Sequence, residues 1–190
     1  LREICCDPRL VADNWTGSSA KLEACLELVT EAVAGGHRIL LFSQFTSMLE
    51  LLAKRLDEAG VSHFTLQGST PKPVRAEQVR RFNQGEADVF LISLRAGGTG
   101  LNLTAADIVI HYDPWWNLAA QNQATDRAYR IGQRNPVQVY RLIAQDTIEE
   151  KIVELQQAKQ SLADTVTGGA DGAILSMNPE QLLQLLGEEA

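Results

Sequence analysis

The chain has 190 residues, 45% of them hydrophobic and 22% charged, the balance of an ordinary globular protein with one core and room for an appended helical segment. No apolar run reaches the roughly 18 residues of a membrane span, and three cysteines (Cys5, Cys6, Cys25) without a CxxC pair exclude a disulfide framework or zinc ribbon and fit a reducing, cytoplasmic home. The net charge of −7 argues against a general nucleic-acid binder, unless the charge is unevenly placed.

The N-terminus, LREICCDPRL, lacks an initiating Met and the basic-then-apolar pattern of a signal peptide, so the chain is expected to be part of a longer one. Residues 1–17 read as a connector with little periodicity. Ser18 and Ser19 can cap a helix over 20–34, with Leu22, Leu26, Val29 and Val33 on one face and Gly35-Gly36 as its stop. HRILLFS reads as a buried strand. Ser47 and Glu50 fit a capping box for a helix ending before Gly60. VSHFTLQ is the next strand, and GSTPKP, with two prolines, reads as a loop before a helix over 74–83. DVFLIS and ADIVIHY are strands three and four. A helix over 118–129 and a fifth strand, PVQVYRLIA, follow. Beyond 145, Thr147 and Glu150 again fit a capping box. TGGADG marks a flexible break near 167–172, and Asn178-Pro179 starts a last short helix.

Strands alternating with helices, and continuous apolar runs in place of alternating ones, predict an α/β domain with a mostly parallel sheet flanked by helices. Functional groups in such sheets gather beyond the carboxyl ends of the strands. Those ends are polar, glycine-rich or aromatic here: Ser43-Gln44, Gln67-Gly68-Ser69, Ser93 to Gly100, and Tyr112 to Asn117.

The charge distribution restores the nucleic-acid option. Residues 1–67 carry six basic and nine acidic side chains, residues 68–143 nine and six, and residues 144–190 two and nine. Eight of the nine cations in the middle stretch are Arg, whose planar fork suits phosphate.

No GxxxxGK[ST] phosphate loop, GxSxG elbow or HExxH pair occurs, and Gly98-x-Gly100 lacks the third glycine of a dinucleotide fingerprint. The cluster Gly97-Gly98-Thr99-Gly100, after Arg95, is either a tight surface turn or a place where backbone N–H groups approach a phosphate. Arg127 and Arg130 lie three apart on a predicted helix. They are either part of a solvated face beside Asp126 or a pair of fingers for a γ-phosphate. In Trp115-Trp116, one ring can pack while the other offers a flat face. Ser43, Gln44, Ser69 and Thr70 offer short donors of the kind that contact nucleic-acid backbones, or simply end strands.

ILLFSQFTSML, FTLQGSTPKPVRAEQVRRFN, FLISLRAGGTGLNLTAADIVIHYDPWWN and QATDRAYRIGQ together resemble the second RecA-like lobe of the Swi/Snf-type ATPases of helicase superfamily two, and the last two stretches are the most specific. The resemblance implies a three-layer RecA-like lobe over 18–145, with a connector at 1–17 from a first lobe and a C-terminal brace of helices at 146–190. It implies that Arg127 and Arg130 are arginine fingers, that Gly97, Gly98, Gly100 and Gln123 lie at the nucleotide, and that Ser43, Gln44, Ser69, Ser93, Arg95 and Trp116 lie near the nucleic-acid backbone. ATP with Mg²⁺, held mainly by the first lobe, is the implied cofactor. Double-stranded DNA and the first lobe are the implied partners, with RNA polymerase or other DNA-bound proteins as further ones, and the nucleoid is the implied site of action. Leu118, Tyr129 and Cys6-Asp7 depart from the usual pattern, and DPWWN points to a compact microbial branch. The alternatives are a non-catalytic binding module of the same fold and an RNA helicase.

Overall fold

Three apolar runs of the sequence become the middle of one sheet. The strands β1 (Ile39–Ser43), β3 (Val89–Ser93) and β4 (Ile108–His111) are buried at every position. They are flanked by β2 (His63–Leu66) and β5 (Gln138–Arg141) in the order β2-β3-β1-β4-β5. All four pairings are parallel, with Phe42 opposite both Ile92 and His111, so the carboxyl ends finish level on one edge. This is a computed structural model, and it describes residues 1–12, 14–94, 101–126 and 136–167, with side chains through 161 except that of residue 120.

Side-chain alternation along the strands divides the core in two. Ile39, Leu41, Val89, Leu91, Ile108 and Ile110 face the helices α2 (Ala20–Ala34) and α3 (Thr46–Glu58), through Leu22, Cys25 and Val29 and through Met48, Leu52 and Leu56. Leu40, Phe42, Phe90, Ile92 and Val109 face the other way, toward Phe82 of α4 (Lys72–Asn83) and Ala124 of α5 (Leu118–Thr125). The chain steps outward from β1 to β2 and back from β2 to β3. With right-handed crossovers, that reversal places α3 and α4 on opposite faces. The result is the expected three-layer parallel domain.

Several element starts differ from the sequence reading. The helix α3 begins at Thr46 with Phe45 at its cap and no side-chain capping bond, so the Ser47/Glu50 box is not used. The Phe45 N–H instead donates to Ser43 Oγ at 3.2 Å. The helix α4 begins at Lys72, inside the expected loop, because Pro73 sits in the first turn, where a missing N–H breaks no helical bond. The Thr147 box half-forms. Thr147 Oγ1 accepts from Glu149 N–H at 3.1 Å, while Glu150 reaches past it to Asp146 N–H at 2.9 Å.

The first ten residues of the stretch read as a connector carry local structure. The helix α1 (Arg2–Cys6) leads into a 3-10 turn at Pro8–Leu10, capped by Asp7, which accepts from Arg9 N–H at 2.9 Å and pairs with the Arg9 guanidinium at 2.7 Å. Cys6 and Asp7 are fully buried, and Tyr112 Oη donates to Cys6 O at 2.9 Å. A local ion pair and a backbone tie replace the apolar periodicity that a sequence scan looks for.

The chain divides into two compact units, Leu1–Val153 and Glu154–Ala190. The helix α6 (Ile148–Thr167) begins in the first and continues into the second. The break expected near 167–172 and the helix expected from Asn178 lie outside the described residues, apart from Thr167 at the end of α6. Among the described residues no helix is long and apolar enough to cross a membrane.

Candidate functional site

The strand ends meet at a buried carboxylate. Asp113, just past β4, is 2% exposed. Ser43 Oγ donates to its Oδ1 at 2.5 Å, Gln44 N–H lies 3.3 Å from both oxygens, and Gln44 Nε2 donates to Oδ2. Gln44 Nε2 also reaches Pro114 O at 3.3 Å. Burial raises the Asp113 pKa above the usual carboxylate value, and the Ser43 and Gln44 bonds pull against it. Asp113 therefore pins the end of β1 to the end of β4 and fixes where α3 starts.

The N-terminal segment closes over the same edge. Arg2 Nη2 donates to Pro114 O at 3.0 Å, and its guanidinium lies 5.9 Å from the Phe45 ring centroid and 5.7 Å from that of Trp116. The two tryptophans separate as their adjacency suggests. Trp115 packs against the core around Phe42 and Phe90, and Trp116 is 44% exposed. A cavity of about 450 Å³ lies at the start of α3, lined by Arg2, Gln44, Thr46, Ser47 and Trp115 among others. No sequence signal placed Arg2 beside Trp116, because the two are more than a hundred residues apart.

Helix α5 starts at this edge. Gln121, 1% exposed, accepts from Trp115 N–H through Oε1 at 3.2 Å. His111, 1% exposed, stacks on Phe42 at 5.5 Å between centroids, and its Nε2 lies 2.9 Å from Thr125 Oγ1. Burial, reinforced by the Arg141 charge, lowers the His111 pKa to about 4, so the ring is neutral at neutral pH. Keeping it neutral stabilises the fold fully above the unfolded value near 6.5. That stabilisation is lost as pH falls toward 4, by up to roughly 3 kcal/mol. In urea titrations, His111→Gln is expected to flatten the loss of stability between pH 6.5 and 4; an acid limb as steep as that of the parent chain would exclude His111 as its source.

The residues singled out in the sequence fare unequally. Gln44, half-buried, and exposed Ser69 and Trp116 share the carboxyl edge. Ser43 and Ser93 lie on that edge but are buried, with the Ser43 hydroxyl committed to Asp113. Gln123 is exposed on α5, whereas Gln121, two residues earlier, is the buried one. Arg95, Gly97, Gly98, Gly100, Arg127 and Arg130 lie outside the described residues. Asp113, Gln121 and His111 were missed, since each acquires its role from a partner on another element. Among the described residues no group of three or more His, Cys, Asp or Glu side chains could hold a metal ion.

Five parallel strands in this order, helices on both faces and a polar carboxyl edge feeding a helix define a RecA-like lobe. Comparison with known proteins agrees. The chain belongs to the family of helicase conserved C-terminal domains, whose profile matches residues 20–132, and within it to the Swi/Snf-type ATPase lobes. An uncharacterized ATP-dependent helicase of Mycoplasma pneumoniae is 41% identical over 186 residues, covering 97% of this chain and 18% of that protein. The chromatin-remodeling ATPase INO80 of Aspergillus terreus is 46% identical over 168 residues, covering 87% of this chain and 10% of that protein. The crystal structure of the C-terminal part of the Fun30 ATPase domain superposes with a TM-score of 0.70 at 33% identity, over 81% of this chain and 52% of that one. The chain thus spans less than a fifth of the length of these two relatives.

Proposed function

We propose that this chain supplies one side of an ATP site, and a backbone-contacting face, to an ATP-dependent translocase acting on double-stranded DNA. The other side of the site would come from a first RecA-like lobe. One observation carries this reading. The loops after β1, β2 and β4 and the start of α5 lie on a single edge of the sheet, and Arg127 and Arg130 follow α5 in the chain.

In this reading the two guanidiniums neutralise charge developing on the transferring γ-phosphoryl, an effect worth roughly 10³–10⁵ in rate. Gln123, Gly97, Gly98 and Gly100 lie at the nucleotide. Gln44, Ser69, Arg95 and Trp116 meet phosphate and sugar, with Ser43 and Ser93 behind them. The cavity at the start of α3 offers helix N–H groups, two hydroxyls and Arg2 to a backbone phosphate, with Glu3 as an opposing charge on its lining. Contacts of this kind read no sequence, which suits a motor that must move over any. The described residues do not fit a magnesium site, because the buried carboxylate at this edge is committed to Ser43 and Gln44. The metal is therefore assigned to the other lobe.

In the full-length protein, Arg130→Ala is expected to lower DNA-stimulated ATP turnover at least ~10³-fold and leave DNA affinity within a few-fold. An unchanged kcat removes Arg130 from the catalytic set. Matched DNA and RNA duplexes in the same assay discriminate a DNA motor from an RNA helicase.

A further inference from the structure

We infer that His111 and Thr125 form a positioning pair that seats α5, the helix that precedes Arg127 and Arg130 in the chain, on the sheet. This rests on the proposed role of those arginines and adds two residues to it.

Few of the described side chains of α5 are both apolar and fully buried. In LAAQNQAT the buried side chains among those described are Gln121 and Ala124. Burying the single Ala124 methyl contributes about 0.8 kcal/mol, too little to fix how a two-turn helix is rotated about its axis. Each polar tie weighs more, because breaking it strands a buried donor or acceptor at roughly 1–3 kcal/mol. Two such bonds join α5 to its surroundings among the described residues. Trp115 N–H to Gln121 Oε1 holds the first half of the helix, and His111 to Thr125 holds its last residue.

The second bond has a defined direction. Thr125 Oγ1 lies 3.3 Å from Gln121 O and donates its proton there, so its lone pairs accept from His111 Nε2–H. The ring cannot swing away, being stacked on Phe42, its register partner on β1, at an interplanar angle of 22°. A rung of the central sheet is thereby joined to the residue that ends α5, two positions before Arg127.

The test compares Thr125→Val, which is isosteric but accepts nothing, with Thr125→Ser, which keeps the hydroxyl. Both are made in the full-length protein alongside Arg130→Ala. Thr125→Val is expected to lower kcat at least about tenfold, with KM for ATP and DNA within about threefold, and Thr125→Ser to restore kcat to within about threefold of the parent. Hydrogen–deuterium exchange over 118–125 is expected to speed up in Thr125→Val alone. A parent-like kcat in Thr125→Val, while Arg130→Ala is dead, overturns the positioning inference and leaves the proposed function standing. Unchanged exchange over 118–125 overturns the seating itself. A parent-like kcat in Arg130→Ala, with Thr125→Val impaired and its exchange raised, overturns the arginine-finger role and keeps the pair as what seats α5.

Discussion

Asp113→Ala is expected to destabilise the first compact unit by roughly 3–5 kcal/mol, lowering its melting temperature by on the order of 10 °C. The substitution removes the carboxylate that three donors share: Ser43 Oγ, Gln44 N–H and Gln44 Nε2, of which the last keeps only its longer bond to Pro114 O. The buried Ser43 hydroxyl cannot turn to water without disturbing the start of α3, since its Oγ also accepts from Phe45 N–H. Asp113→Asn separates charge from hydrogen bonding. Its carbonyl can still accept from Ser43, and burial already favours an uncharged group at this position. Its cost is expected to be less than half that of alanine. Equal losses for Ala and Asn in calorimetric scans would mean that the negative charge, not acceptor capacity, holds the edge together.

The second large effect lies where α6 begins. Lys21 Nζ reaches both oxygens of Glu149, at 2.7 and 2.6 Å, with the two side chains only 8% and 2% exposed. Glu149 Oε2 also accepts from Ala144 N–H at 2.9 Å, and the ammonium lies 5.2 Å from the centroid of the Tyr112 ring. An ion pair this deep is expensive to half-remove, because the remaining charge has no water to solvate it. Glu149→Ala is expected to cost roughly 3–5 kcal/mol and Lys21→Met a similar amount, whereas Lys21→Met with Glu149→Leu should recover most of the loss. Strict additivity of the two single losses would show that the charges do not depend on each other. Because Tyr112 adjoins Asp113, the same cluster ties the root of α6 to the functional edge, so each single variant is also expected to loosen Gln44.

Burial also sets the state of two thiols, Cys6 and Cys25. Cys25 is pushed up to about 12 by desolvation, and Cys6 is raised further for the same first cause. Both remain protonated and pack as small apolar groups.

What the sequence determined by itself was the class of fold and the edge that matters. Runs such as ILLFS and VFLIS are apolar at every position, which only a sheet covered on both faces can accommodate, and their alternation with amphipathic helices leaves parallel pairing as the economical solution. The polar loops then had to lie at the carboxyl ends. The motif stretches carried the family. What the sequence could not determine was which polar groups face inward. Gln121 and Gln123 are the same residue two positions apart. The Trp115 N–H, fixed by how the Trp loop leaves β4, selects the first. Asp113 looked like a strand terminator because its partners are 69 and 70 positions away. The structure of the first ten residues was not legible because it rests on one ion pair and on the hydroxyl of Tyr112, more than a hundred positions away. Hydrophobic periodicity is a local signal and survives in sequence. Satisfaction of buried polar groups is a pairwise condition between distant segments, and only the tertiary structure decides it.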